Sequence, residues 1–245
     1  MIRWVWAFLD RPAQRFDECA KFWAAVTGTE PSERRGADNE FLTLLPDPAL
    51  FAAASVKMQA VTGFGRVHFD LDVDDIPATV RAALELGAEL VANHRDYAVL
   101  RSPSGQIFCV TPAGRAQGRH APAFRAPDGT LSRVDQICLD IGDADYERET
   151  EFWRALTGWE HTLGRLPEFA RLRTAELPVH FLLQRLGEDR PAGAHIDIAV
   201  SDIEAAAIWH ESLGATVVAR YENWIVLTDP GDSVYCVTAR DPNGV

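Results

Sequence analysis

Nowhere in the 245 residues is there an apolar run of 18, so no segment reads as a membrane-spanning helix. Basic residues are also short: 24 Lys and Arg stand against 36 Asp and Glu, for a formal net charge of −12. That balance argues against nucleic-acid partners and anionic membrane surfaces, which require a basic face. Met1 to Trp6 lacks the long apolar core of a signal peptide and reads as a strand, and a cytoplasmic location is the expectation. Cysteine is scarce: Cys19, Cys109, Cys138 and Cys236 form no CxxC pair and no dense framework. Buried, reduced thiols are the expectation.

What the sequence does have is a duplication. His68 to Thr111 aligns without a gap on His195 to Thr238 at a constant offset of 127, and 17 of the 44 paired positions are identical. The pairs include His68/His195, Asp70/Asp197, Asp75/Asp202, Gly87/Gly214 and Cys109/Cys236. Upstream, the seven residues from Phe22 to Gly28 match Phe152 to Gly158. A repeat of this length sets two domains. We place them at 1–112 and 132–245, joined by a linker over 113–131 that is rich in Gly, Pro, Ala and Arg and has no periodicity.

Each half of each domain reads as β-α-β-β-β. Arg66 to Val73 alternates, with Phe69, Leu71 and Val73 on one face and His68, Asp70 and Asp72 on the other, the pattern of a half-buried strand. Asp75 then caps a helix that Gly87 ends, and three short strands follow. The copy from His195 reads the same way. Trp4–Leu9 with a helix over 15–26, and Val134–Ile141 with a helix over 146–156, supply the two upstream halves. Phe22, Trp23, Phe152 and Trp153 are packing residues, and the acidic run Asp143 to Glu151 is a solvated helix face with favourable charge at its N-terminus.

Four βαβββ modules with a His on the first strand of the second and fourth resemble the vicinal-oxygen-chelate superfamily. The segments Phe152–Gly158, Leu183–Leu186, His195–Ile203 and Pro230–Val237 are similar to its glyoxalase-like and bleomycin-resistance-like members. The resemblance implies an α+β fold of two glyoxalase/bleomycin-resistance/dioxygenase-like domains, each a cup-shaped sheet. It also implies ligand positions on the first and last strands of each module. Carried over, these fall on Gln136, Gln184, His195 and Cys236 in the second domain, and on Trp6, Gln59, His68 and Cys109 in the first. Asp70 and Asp197 follow each His on the same face, and Trp6, Phe8, Tyr97 and Trp224 supply aromatic walls.

The metal-dependent members typically present two or three His and a Glu, a set neither domain has. The expectation is therefore a protein that binds a small organic metabolite or antibiotic-like ligand, as monomer or homodimer, with no cofactor. The alternative is a lyase, isomerase or dioxygenase using a divalent metal (Zn, Mn, Fe or Ni) in the second domain through His195, Cys236, Gln136 and Gln184. A further alternative is a non-catalytic scaffold or dimer module.

Overall fold

The structure is a computed structural model, and it describes residues 1–114 and 121–244. The first module runs β1 (Ile2–Pro12), α1 (Phe16–Thr27), β2 (Glu30–Pro31), β3 (Phe41–Leu45) and β4 (Val56–Val61). The second runs β5 (Arg66–Val73), α2 (Ile76–Glu85), β6 (Glu89–Asn93), β7 (Ala98–Arg101) and β8 (Ile107–Pro112). A short β9 (Phe124–Arg125) pairs with the start of β10 (Leu131–Ile141). The third module continues with α3 (Tyr146–Thr157), β11 (Glu160–Leu163), β12 (Phe169–Arg173) and β13 (His180–Arg185). The fourth is β14 (Gly193–Val200), α4 (Ile203–Ser212), β15 (Thr216–Arg220), β16 (Trp224–Thr228) and β17 (Val234–Thr238).

The strands form two sheets of matching order, β2-β3-β4-β1-β5-β8-β7-β6 and β11-β12-β13-β10-β14-β17-β16-β15. Modules therefore pair within the chain, first with second and third with fourth. The linker read from the sequence carries β9, and its residues 115–120 lie outside the described residues. Among the described residues, no helix is long and apolar enough to cross a membrane.

Local chemistry explains the helix ends. Asp75 accepts from the Ala78 amide, and Asp202 from the amides of Glu204 and Ala205, so both second-half helices start on a carboxylate cap. Gly28 and Gly158 end α1 and α3 at φ +63° and +67°, a conformation that costs a residue with a Cβ.

Packing divides the chain into two compact units, each made of non-contiguous segments. One comprises Met1–Ala7, His68–Gln117 and Ile137–Ala194; the other comprises Phe8–Val67, Gly118–Gln136 and His195–Val245. The first unit is centred on Trp153 of α3, whose ring lies 5.2 Å from Phe69, 5.0 Å from Phe108 and 5.6 Å from Phe181. The second is centred on Trp23 of α1, 5.1 Å from Tyr235 and 5.4 Å from Phe22. The four aromatic residues expected to pack on α1 and α3 are all buried, as are the four cysteines, none of them in a disulfide.

Two expectations change. β5 is buried on both faces, not one: His68, Asp70 and Asp72 are only 6–8 % exposed, against 0 % for Phe69 and Leu71. The acidic run on α3 is not solvated throughout, because Glu149 is fully buried. Its carboxylate accepts from the Trp153 indole at 2.7 Å and from the Ser104 amide at 3.0 Å, which satisfies the charge inside the core.

Candidate functional site

In the first unit, β5 and β8 run parallel with Asp70 opposite Cys109. This register brings the ligand atoms of His68, Asp70 and Cys109 within 4.8 Å of one another, all three residues buried. His68 Nε2 lies 3.9 Å from Asp70 Oδ1. Trp6, across on β1, donates its indole N–H to Asp72 Oδ2 at 3.0 Å, and Thr111 donates to Asp72 Oδ1 at 2.7 Å. On β7, Val99 pairs with Cys109, so Tyr97 shares the Cys109 face by alternation; it stacks on His94 at 4.3 Å.

In the second unit, the parallel β14/β17 register sets Asp197 opposite Cys236. His195, Asp197 and Cys236 converge within the same 4.8 Å. His195 Nε2 is 3.5 Å from Cys236 Sγ and 3.3 Å from Asp197 Oδ1. On β16, Val226 pairs with Cys236, which puts Trp224 on that face, stacked on Tyr221 at 4.6 Å. The two stacked ring pairs are repeat equivalents: Tyr221 and Trp224 lie 127 residues after His94 and Tyr97.

The residue that sequence reading missed is Arg240. Its Nη1 donates to Gln136 Oε1 at 2.6 Å and lies 3.5 Å from Asp197 Oδ2, while its Nη2 and Nε hold Asp135. Burial alone would raise the Asp197 carboxyl, but His195 and Arg240 outweigh it and hold the group below the ordinary carboxylate range. The repeat equivalent of Arg240 is Ala113, so identity between the copies gives no signal for it.

The remaining positions have partners of their own. Gln184, on β13, accepts from Cys138 Sγ at 3.4 Å. Gln59, on β4, pairs with Phe41 of β3. Phe8 is buried, edge-on to Phe41 at 6.2 Å, with Lys57 Nζ 5.1 Å above its ring. The donors that converge are thus His, Asp and Cys in each unit, with Gln136 engaged by a guanidinium.

Comparison with known proteins settles the family. The glyoxalase-like domain family matches residues 6–111 and 136–238. The chain belongs to this family. Its fold is that of the vicinal-oxygen-chelate superfamily. A triple mutant of 4-hydroxymandelate synthase from Streptomyces coelicolor is 15% identical, with 98% of this chain and 94% of that chain covered at a TM-score of 0.63. A Mn(II)-bound glyoxalase from Novosphingobium aromaticivorans is 18% identical, with coverages of 97% and 82% and a TM-score of 0.64. The 2,3-dioxygenase LapB from Pseudomonas sp. KL28 is 11% identical, with coverages of 95% and 90% and a TM-score of 0.61. No curated protein sequence matches the chain.

The Arg240 arrangement predicts a measurable cost. Arg240→Leu leaves Asp135 and Asp197 buried without their cation, which is expected to destabilise the protein by about 2 kcal/mol at pH 7. The penalty should shrink near pH 4, where Asp197, relieved of the cation that helps hold its carboxyl low, takes up a proton. Urea titrations at both pH values check this; an equal penalty at both would refute the electrostatic account.

Proposed function

We propose that this glyoxalase-like protein binds a small organic molecule on its concave sheet faces without metal chemistry in the second domain. The observation that carries this reading is the Arg240 guanidinium. It engages the amide oxygen of Gln136, at the family's first-strand ligand position, and pairs with Asp197 beside His195. A cation is therefore already built into that corner, and a divalent ion placed on His195, Asp197 and Cys236 would face like-charge repulsion from it. Trp224 and Val226 offer an apolar wall, while His195 and Cys236 offer polar contacts, a mixture suited to an organic ligand.

A second reading rests on the first domain. There the donor set His68, Asp70 and Cys109 fits zinc in ligand type, and the position matching Arg240 is Ala113. These three residues would hold the ion, which would supply Lewis-acid activation of a bound oxygen. Asp72, held by Trp6 and Thr111, is positioned to fix the surrounding strand face.

Elemental analysis of protein purified without chelator separates the readings. The expected result is less than one equivalent of metal, unchanged in His195→Ala, with ligands from a metabolite library shifting Tm. One equivalent of metal that disappears in His68→Ala favours the second reading. One equivalent lost in His195→Ala overturns the first.

A further inference from the structure

The repeat builds a similar cavity twice, and among the described residues an aromatic ring, that of Phe124, lies in one of them. In the second unit the space lies between the end of α1 (Val26, Thr27), the start of β10 (Ser132) and the residue after β3, Pro46. In the first unit the corresponding parts are the end of α3 (Leu156, Thr157), the start of β1 (Ile2) and Thr174 after β12. The cavity on the α1 side measures about 60 Å³, whereas that on the α3 side measures about 230 Å³.

Phe124 accounts for the difference. Its ring lies against the α1 terminus so closely that a Cβ on Gly28 would meet Phe124 Cδ2 at 2.0 Å. Trp209 closes over the same ring at 6.0 Å. At Gly158, the counterpart of Gly28, a Cβ would meet nothing within 4 Å, and the counterpart of Trp209 is Ala82. The chain thus shows, in one copy, what this kind of cavity accepts: a single aromatic ring laid over the helix-terminal glycine.

The lining of the larger cavity sets the polarity of its occupant. Trp159, buried against Phe181 at 5.1 Å, and Leu177 supply apolar walls. The hydroxyls present mainly lone pairs. Thr79 donates back to the Asp75 carbonyl at 2.9 Å, and Thr157 donates back to the Trp153 carbonyl at 2.7 Å while accepting from the Trp159 amide at 3.2 Å. Glu176 adds a carboxylate to the rim, and the C-terminal end of α3 is the negative end of its dipole. Acceptors therefore dominate the lining, with the Met1 ammonium, which lies 3.7 Å from Asp74 Oδ2, as a cation beside them.

We propose that this cavity, separate from the concave faces, is a binding site for a single-ring aromatic molecule carrying a hydrogen-bond donor, a phenol or an aromatic amine. The volume is adequate, since a cavity of about 150 Å³ lined by apolar side chains admits benzene. The ring replaces Phe124, and the donor group meets Thr79, Thr157 or Glu176.

The test is a titration of the ¹⁵N-labelled full chain with phenol, tyramine and toluene. Phenol and tyramine are expected to shift the Gly158 amide and the Trp159 indole saturably, with Kd about 1 mM, typical of so small a ligand. Toluene should bind about tenfold more weakly, reflecting one lost hydrogen bond. Thr174→Trp fills the cavity and should abolish the shifts. Thr79→Val, nearly isosteric and carried on the outer part of α2, should weaken phenol while leaving toluene unchanged, and it serves if Thr174→Trp does not fold. No saturable shift at Gly158, wild-type affinity in both variants, or equal affinity for phenol and toluene would each overturn the proposal, as would shifts confined to the strands bearing His68 and His195.

Discussion

Asp229→Ala is expected to lower the unfolding free energy by about 4 kcal/mol, seen as a reduced urea midpoint at unchanged slope. Asp229 sits on the turn between β16 and β17, fully buried, and its two oxygens serve four donors. The Trp23 indole donates at 2.7 Å, the Gly231 amide at 2.9 Å and the Ser233 amide at 3.2 Å. The fourth donor is Arg11 Nε, and the Arg11 side chain is as inaccessible as the carboxylate. Arg11 also donates to the carbonyls of Asp10 and Arg66 at 2.8 and 3.0 Å. Alanine would strand a guanidinium in the core together with an indole N–H and two amides. An uncompensated buried charge dominates such losses, so the effect exceeds that of any one hydrogen bond.

The charge itself is the cause, and that can be separated from packing. Replacing both partners, as Arg11→Met with Asp229→Leu, removes the pair without orphaning either member and should recover more than half of the loss. A single-variant penalty under about 1 kcal/mol, or a double variant worse than Asp229→Ala, would show that the pair does not govern this core. Nearby, Cys19 reports the same environment: burial, reinforced by Asp229, pushes its thiol up to about 12.

Acid should destabilise the protein well above the carboxylate range, through His210. This histidine on α4 is fully buried, with Nδ1 3.0 Å from the Tyr235 hydroxyl and its ring 6.0 Å from that of Phe22. Burial lowers its pKa from 6.5 to about 4, against a small opposing pull from Asp128. The unfolded chain takes up a proton below pH 6.5 that the folded chain refuses until about pH 4. Stability is therefore complete above pH 6.5 and declines as pH falls through this window, levelling once the folded form also protonates. The total is about 3 kcal/mol, because each tenfold loss of proton affinity on folding is worth about 1.36 kcal/mol. In His210→Leu the slope between pH 6.5 and 4 should vanish, whatever that variant's stability at neutral pH. Parallel stability–pH curves for the two proteins would show that His210 is not the titrating group. Asp197, held below the ordinary carboxylate range, contributes its loss at lower pH and does not blur this window.

The repeat and its alternation carried the fold. The period of two in β5 and β14, the Asp75 and Asp202 caps and the terminal glycines are local signals, and the strands and helices stand where these signals put them. The His, Asp and Cys positions were legible for the same reason, since parallel pairing of first and last strands follows from the module order. What could not be read was set by distance along the chain. Arg240 matters because it meets Asp135, 105 residues away, and no local pattern marks such a pair. Glu149 looked like part of a solvated acidic run because its partner amide belongs to Ser104, 45 residues upstream. The burial of both faces of β5 likewise depends on what packs there, which alternation alone does not report.

The non-contiguous make-up of the two compact units bears on how the chain can be synthesised. The aromatic face of α1 waits for Tyr235 and Asp229, more than 200 residues later, while the segment completing the other unit begins only at Ile137. An emerging N-terminal half must therefore hold apolar surface uncovered until the C-terminal strand leaves the ribosome. Long loops must close before their contacts repay the entropy, which slows folding and leaves apolar surface exposed to aggregation in the meantime.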